Sequence, residues 1–186
     1  MDARLRVFVA LPIPERQRQA LAGHLAASAE AAPGYRWVEP EALHLTLRFL
    51  GWLETARLDR VRAELGRVRL GPFRLRLGGL GTFPGRGLPR VIWLGLVEGT
   101  EPCASLAAQV ESACHAAGVP PETRPFRPHV TLARARDRCP RPPRLGDPPP
   151  LDPWTADEFI LFESRLRPGV GPRYVPLERY PLCNPP

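Results

Sequence analysis

The chain has 186 residues, of which 44% are hydrophobic, and this length suits one substantial domain or two small lobes sharing a core. No apolar run approaches the roughly 20 residues that span a membrane, and the N-terminus lacks a small-residue cleavage site, so we expect neither a membrane segment nor a signal peptide. All 26 basic residues are arginine, and the net charge is +7. This charge favours a polyanionic partner, but a GC-rich genome would also produce an arginine- and proline-rich chain, and composition leaves both open.

Four cysteines contain no C-x-x-C pair and no pattern of a disulfide-bonded scaffold. We therefore expect neither structural zinc nor disulfides, and a reducing cytoplasm as the location. Cys103 and Cys114 lie on the apolar stripe of a predicted helix, which indicates core packing.

The first half of the chain predicts three strands, two helices and a loop. The strands are Leu5–Ile13, Leu43–Leu50 and Phe73–Leu80. The first helix runs from Pro14 to about Ala31, and the second carries the apolar residues Leu58, Val61, Leu65 and Val68. The loop is the Gly- and Pro-rich stretch Gly78–Pro89.

The second half repeats this order. It predicts a strand at Arg90–Val97, a helix at Pro102–Ala117, a strand at Pro128–Ala135, an irregular Pro-rich linker at Cys139–Pro153, a strand at Glu158–Leu166, and a last strand near Tyr174–Leu182 that pairs with it as a hairpin.

Corresponding residues of the halves lie at a nearly constant offset. Phe8 and Trp93 are 85 residues apart, as are His44 and His129. The repeat predicts an α+β protein in which two small, mainly antiparallel sheets with helices on the outside surround a central cleft. We expect one bilobal domain over 1–186, with pseudo-repeat lobes at about 1–85 and 86–186 that can exchange strands.

The strongest chemical signal is a pair of His-x-Thr motifs at equivalent points of the repeat. His44 and Thr46 should share one strand face, as should His129 and Thr131, while the leucines and the valine between them point to the core. With seven threonines in 186 positions, chance would place Thr two residues after two of four histidines in roughly 1% of sequences. An approximate twofold would bring two imidazoles and two hydroxyls together around one phosphate. His24 and His115 lie in predicted helices without a threonine partner and are not expected to act.

The chain resembles the 2H phosphoesterases, which are named for paired H-x-T-x motifs, and it is most similar to their bacterial branch of RNA 2′,3′-cyclic phosphodiesterases, also called 2′-5′ RNA ligases. The resemblance covers almost the whole chain. It is carried by the segments RVFVALPIP, HLTLRFLG, GTFPGRGLPRVIWLGL, FRPHVTLAR and FILFESRL.

The resemblance implies a role for each site residue. His44 would protonate the leaving 3′-oxygen, and His129 would activate water. Thr46, Thr131 and Arg134 would hold the phosphate. It also implies an open two-lobed cleft and no metal or other cofactor.

Other residues near the motifs have less certain roles. Arg127 could contact phosphate or simply be solvated, and Phe8 could border the cleft and contact substrate, whereas Trp93 is expected in the core. Arg48 should point away from the histidine face only if its strand is regular, so its role is open. The linker Cys139–Pro153 could reshape one wall of the cleft.

Together these observations predict hydrolysis of RNA 2′,3′-cyclic phosphate ends to 2′-phosphates by two-histidine acid–base catalysis. The reverse reaction would be 2′-5′ ligation without ATP, since no Walker-type loop is present. We expect RNA with such an end as the partner, and a monomer. Two alternatives remain: a related enzyme for 2′-5′ oligonucleotides or small cyclic nucleotides, and a non-catalytic RNA-binding module. A zinc site is disfavoured because neither motif has a Cys or carboxylate ligand nearby.

Overall fold

The computed structural model of the chain describes residues 4–136, 145–166 and 171–184. In chain order its elements are β1 (Arg4–Pro12), α1 (Glu15–Ala31), β2 (Tyr35–Trp37), a 3-10 helix (Pro40–Ala42), β3 (His44–Glu54), α2 (Thr55–Leu65), β4 (Phe73–Phe83), β5 (Val91–Glu98), α3 (Thr100–Ala116), β6 (Val130–Ala135), β7 (Trp154–Ala156), β8 (Glu158–Arg165) and β9 (Arg173–Pro181).

The strands form one antiparallel path in the order β7-β4-β5-β6-β3-β1-β8-β9, and β2 pairs with β6. The α+β class and the antiparallel pairing are as predicted, including the β8–β9 hairpin. The two expected sheets are the two sides of this path, and they join where β3 meets β6 through one residue pair, Leu45 with Val130. We call β3, β1, β8 and β9 the β1 side, and β6, β5, β4 and β7, with β2, the β5 side.

The third long strand of the first half, β4, lies on the β5 side, and the third long strand of the second half, β8, lies on the β1 side. β4 follows β3 in the chain but pairs with β5, and β8 follows β6 but pairs with β1. Neither half could therefore bury its sheet without the other. The division into one bilobal domain with two pseudo-repeat lobes stays a prediction.

The helices cover one face of this sheet. Leu21 and Leu25 of α1, the buried leucines and valine of α2, and the apolar stripe of α3 belong to one buried cluster with residues of eight strands. Cys103 and Cys114 are buried in that cluster, as expected. The sheet residues of this helix face include the motif residues predicted to point inwards: Leu45, Leu47, Val130 and Leu132. No helix within the described ranges is both long and apolar enough to cross a bilayer.

The prediction of a loop over Gly78–Pro89 is wrong for its first part, because β4 continues to Phe83. Glycine suits this segment for a steric reason. The strand neighbour of Gly81 is Trp93, and a Cβ added to Gly81 would lie 2.1 Å from the Trp93 ring. The Gly-rich sequence therefore makes room for an indole ring.

The linker Cys139–Pro153 begins outside the described residues, and from residue 145 to 153 it is irregular. Leu151 is buried in the main core, and the Asp152 carbonyl accepts a hydrogen bond from Gln17 Nε2 (3.2 Å). Arg16 of α1 pairs with the Asp152 carboxylate. The described part of the linker is thus attached to α1.

The prediction that Arg48 points away from the histidines only in a regular strand is wrong. Regular alternation would place Arg48 on the face of His44 and Thr46. The β1–β3 register instead shifts between Val9 and Ala10, which pair with Arg48 and Thr46, so Leu47 is an extra residue. This bulge turns Arg48 to the helix face.

Arg48 is 8% exposed and contacts three oxygen atoms there. Its Nε lies 2.6 Å from a Glu111 carboxylate oxygen of α3, its Nη1 lies 3.3 Å from Glu122, and its Nη2 donates to the Pro120 carbonyl (2.6 Å). The first histidine strand is thereby attached to α3 and to the segment that leads to the second histidine.

Glu111→Gln should lower the free energy of unfolding by about 1–2 kcal/mol, because it leaves the buried Arg48 charge partly uncompensated. Urea denaturation would measure this. The matched control is Glu64→Gln, which removes an i,i+3 pair with the exposed Arg67 and should cost no more than about 0.5 kcal/mol. Equal losses in the two variants would contradict a buried structural role for Arg48.

Candidate active site

The two histidine motifs meet across the Leu45–Val130 pair. These two residues are themselves 85 positions apart, so the pair is self-equivalent under the repeat. Antiparallel register of one further residue on each side sets His44 opposite Thr131 and Thr46 opposite His129. All four side chains are half-buried on the sheet face opposite the helices, which we call the histidine face.

Both imidazoles are oriented by the same backbone contact. His44 Nδ1 lies 2.8 Å from the Ala42 carbonyl, and His129 Nδ1 lies 2.6 Å from the Arg127 carbonyl. A carbonyl only accepts, so Nδ1 carries the proton in both rings. In the neutral ring Nε2 is then an acceptor, and in the charged ring it is a donor. Either ring can therefore act as base or acid through Nε2.

Equivalent bulges follow the two motifs. The β5–β6 register shifts between Ile92 and Trp93, which pair with Ala133 and Thr131, so Leu132 is an extra residue as Leu47 is in β3. After the bulge, side chains that regular alternation would direct to the helices lie on the histidine face, and those it would direct to the histidine face lie toward the helices. As a result the residue five places after each histidine lies on the histidine face: Arg134 in the second motif and Phe49 in the first.

Arg134 acts electrostatically on both histidines. The pKa of His44 is lowered to about 4, mainly by burial and also by the charges of Arg134 and His129, although the bond to Ala42 opposes this. Burial also lowers the pKa of His129, and Arg134 contributes in the same direction. The structure therefore places Arg134 near both imidazoles, with a cationic guanidinium in a site whose histidines are neutral at pH 7.

Aromatic rings support each imidazole. Phe8 lies 4.8 Å from His44 between ring centroids, and Tyr174 meets His44 edge-on at 4.9 Å. On the other side Phe83 meets His129 edge-on at 5.1 Å, and Trp93 lies at 6.0 Å. Such contacts limit the rotation of the imidazoles.

Trp93 differs from its predicted position, and Phe8 lies at the site with little exposed surface. Phe8 is only 3% exposed and packs on His44, Phe162 and Tyr174, so it offers substrate little surface. Trp93 is half-buried beside His129 rather than in the core. The equivalent aromatics therefore pack beneath the equivalent histidines.

The other candidates lie apart from this centre. The Arg127 side chain is exposed, and its main-chain carbonyl orients His129. His24 and His115 lie on α1 and α3. Within the described ranges, no three His, Cys, Asp or Glu side chains converge as metal ligands.

Sequence reasoning missed Tyr174, Phe83 and the two carbonyl acceptors. Tyr174 comes from β9, far from either motif in the chain, and Phe83 fell in the predicted loop. The carbonyls of Ala42 and Arg127 carry no residue-type signal. Each of these two residues lies two positions before its histidine, and this shared spacing was the one signal in the sequence that could have indicated them.

A family model described as the 2′-5′ RNA ligase superfamily matches residues 14–165. The RNA 2′,3′-cyclic phosphodiesterase of Thermus thermophilus is 38% identical over 189 aligned positions, which cover 96% of this chain and 90% of the relative. A crystal structure of a Thermus thermophilus protein has a TM-score of 0.79 at 36% identity, covering 97% of this chain and 99% of that one. Escherichia coli LigT complexed with 3′-AMP has a TM-score of 0.78 at 31% identity, with coverage of 97% and 99%.

The chain therefore belongs to the 2′-5′ RNA ligase superfamily, the 2H phosphoesterases. The family prediction made from the two histidine motifs is confirmed.

The lowered pKa of His44 predicts a pH-dependent contribution to stability. In the unfolded chain this histidine has a pKa near 6.5, so between pH 6.5 and about 4 the unfolded state binds more protons, and stability falls as pH falls. Between pH 7.5 and 5 the wild type should lose about 1–2 kcal/mol more unfolding free energy than His44→Gln, measured by urea denaturation.

His115→Gln on the exposed face of α3 is the control and should follow the wild type. If the wild type and His44→Gln lose stability in parallel, the His44 pKa is not lowered by folding.

Proposed function

We propose that this protein hydrolyses RNA 2′,3′-cyclic phosphate ends to 2′-phosphates through His44 and His129. The observation that carries the proposal is the pair of imidazoles anchored identically at Nδ1 across one strand junction, with Arg134 near both. Two proton carriers and a fixed cation are what attack on an anionic phosphodiester requires.

The chain is an enzyme of the RNA 2′,3′-cyclic phosphodiesterase class, on its family membership and on relatives of that name. Our proposal concerns the mechanism, the roles of single residues and the form of the RNA end.

In the proposed reaction, water attacks phosphorus in line with the bond from phosphorus to the ribose 3′-oxygen. Neutral His129 takes a proton from the water at Nε2, and charged His44 gives its Nε2 proton to the 3′-oxygen as that bond breaks. The product carries a 2′-phosphate and a 3′-hydroxyl, and the two histidines have exchanged charge. Run backwards with an RNA 5′-hydroxyl in place of water, the same steps form a 2′-5′ linkage without ATP.

The substrate itself helps to set the protonation state. Without a ligand both imidazoles are held neutral by burial and by Arg134. A phosphodiester carries a negative charge, which favours the charged form of a nearby histidine. Binding should therefore raise the histidine pKa values and make one ring able to donate. Thr46, Thr131 and Arg134 would hold the non-bridging oxygens.

The remaining residues are given supporting roles in this proposal. Phe8 and Trp93 would position the histidines, and the Arg127 side chain could still contact RNA from the surface. We also propose a monomer and a reducing cytoplasm. The thiols of Cys103, Cys114 and Cys183 are unpaired among the described residues.

His44→Gln and His129→Gln should each lower kcat by at least about 10²-fold on an RNA with a 2′,3′-cyclic phosphate end, because each removes one proton transfer. The assay contains EDTA, since the proposed acid, base and phosphate donors are all side chains. Product is measured by chromatography.

The exposed His115→Gln variant is the control and should retain wild-type turnover. Near-normal hydrolysis by either active-site variant, or wild-type activity that requires added zinc or magnesium, would refute the proposed mechanism.

A substrate with an activated leaving group should separate the two roles. Such a group departs without a proton, so it should rescue His44→Gln by at least about tenfold more than His129→Gln, because the second variant still lacks the base. The rates of both variants on activated and native substrates measure this. Greater rescue of His129→Gln would exchange the roles, and a 3′-phosphate product would reverse the orientation of the substrate.

A further inference from the structure

The histidine face extends beyond His44 along β1 and β3 as a strip of aromatic and arginine side chains. Arg6 stands directly opposite Trp52 in the antiparallel register, so the two share a face. The Arg6 guanidinium lies 4.5 Å from the centroid of the Phe49 ring, and its Nη1 donates to Ser164 Oγ (2.7 Å). We call Arg6, Phe49 and Trp52 the arginine–aromatic strip.

The strip is continuous with the active site. Phe8 packs on His44 and is the strand neighbour of Phe49. Arg6 lies two residues before Phe8 on the same strand face, which is one step of about 6.6–6.8 Å. A polymer with its end at His44 and lying along β1 would therefore reach the strip with its next unit.

The two aromatic side chains of the strip are unusually exposed for large apolar residues. Trp52 is 60% exposed and Phe49 is 42% exposed, and both are among the largest exposed apolar side chains of the described residues. Arg6 is fixed by Ser164 and Phe49 rather than by a carboxylate within those residues, so its charge is available to an anion. An exposed indole beside an oriented guanidinium can stack on a base and contact its phosphate. The strip therefore suits a nucleotide better than it suits the apolar surface of a protein partner.

The two halves differ at the strip. Phe49 occupies the position equivalent to Arg134, five residues after the histidine and just after the bulge. One half therefore presents a cation to the reacting phosphate, and the other presents an aromatic ring that holds Arg6. This asymmetry gives the bound RNA a preferred direction.

We infer that the arginine–aromatic strip binds the nucleotide on the 5′ side of the cyclic-phosphate nucleotide, with its base stacked on Trp52 and its phosphate contacted by Arg6. The inference rests on the proposed function and deepens it by naming oligomeric RNA, rather than a cyclic mononucleotide, as the substrate class. A mononucleotide would fill only the histidine centre.

The test compares kcat/KM for a tetranucleotide RNA ending in a 2′,3′-cyclic phosphate with kcat/KM for a 2′,3′-cyclic mononucleotide. Trp52→Ala should lower the ratio of these two values roughly 5- to 100-fold, the range expected for loss of one base stack. Trp52→Phe should restore most of it. Val97→Ala, at another exposed apolar position on β5, should leave the ratio unchanged.

A second arm tests the charge by binding, independently of turnover. Affinity for the tetranucleotide with a 2′-phosphate end is measured by fluorescence anisotropy over a range of salt concentrations. Arg6→Gln should reduce the slope of log Kd against log salt by about 1, while Arg57→Gln on the exposed surface of α2 should not.

The outcomes separate the inference from the proposed function. An unchanged ratio in Trp52→Ala, or equal losses on both substrates, overturns the strip as a nucleotide site. A wild-type dimer that Trp52→Ala converts to a monomer in sedimentation would assign the strip to a second copy of the chain and also overturn it. If the wild type hydrolyses neither substrate, the proposed function fails. The binding arm then decides the strip alone, and equal salt slopes in both arginine variants would refute it.

Discussion

The single pair of Leu45 with Val130 is the contact on which the site depends. It is the only described pairing between β3 and β6, yet it joins the two sides of the sheet. Because the two residues are equivalent in the repeat, the antiparallel register around them places each histidine opposite the threonine of the other motif. A shift of one residue would turn one motif toward the helix face. The buried apolar neighbours, which pack against α2 and α3, therefore specify the alignment of the polar side chains.

Paired bulges bring different residue types into equivalent positions on the two sides of this junction. An extra leucine after each motif reverses the alternation, so that one helix-face position becomes Arg48 in the first half and Ala133 in the second. Arg48 uses its position to bind α3 and the segment before His129. On the opposite face the same bulges present Phe49 and Arg134. The two equivalent motifs thus supply the imidazoles as a matched pair, and the residues beside them differ between the two sides.

Much of the fold and the centre of the site could be predicted from the sequence, because periodicity and repeat spacing are local signals. The alternation that buries Leu45 and Val130 also places His44 and Thr46 on the opposite face, and both follow from strand geometry. The three-residue strands β2 and β7 are too short to show a period. The orientation of Arg48 could not be predicted, because a bulge leaves no trace in residue types. Tyr174 reaches His44 only through the β8–β9 hairpin, and such a long-range contact has no local signal.

The electrostatics of the site favour reaction only when an anion is present. Burial and Arg134 keep both imidazoles neutral in the empty protein, a state in which neither ring can donate a proton to a leaving group. A bound phosphodiester would place a negative charge beside Arg134 and both rings, offsetting the guanidinium and stabilising one imidazolium. Because the rings share that phosphate, they would titrate as a pair. In the proposed mechanism, a histidine that carries no proton at Nε2 in the empty site therefore gains one when the anionic substrate binds, and can then donate it.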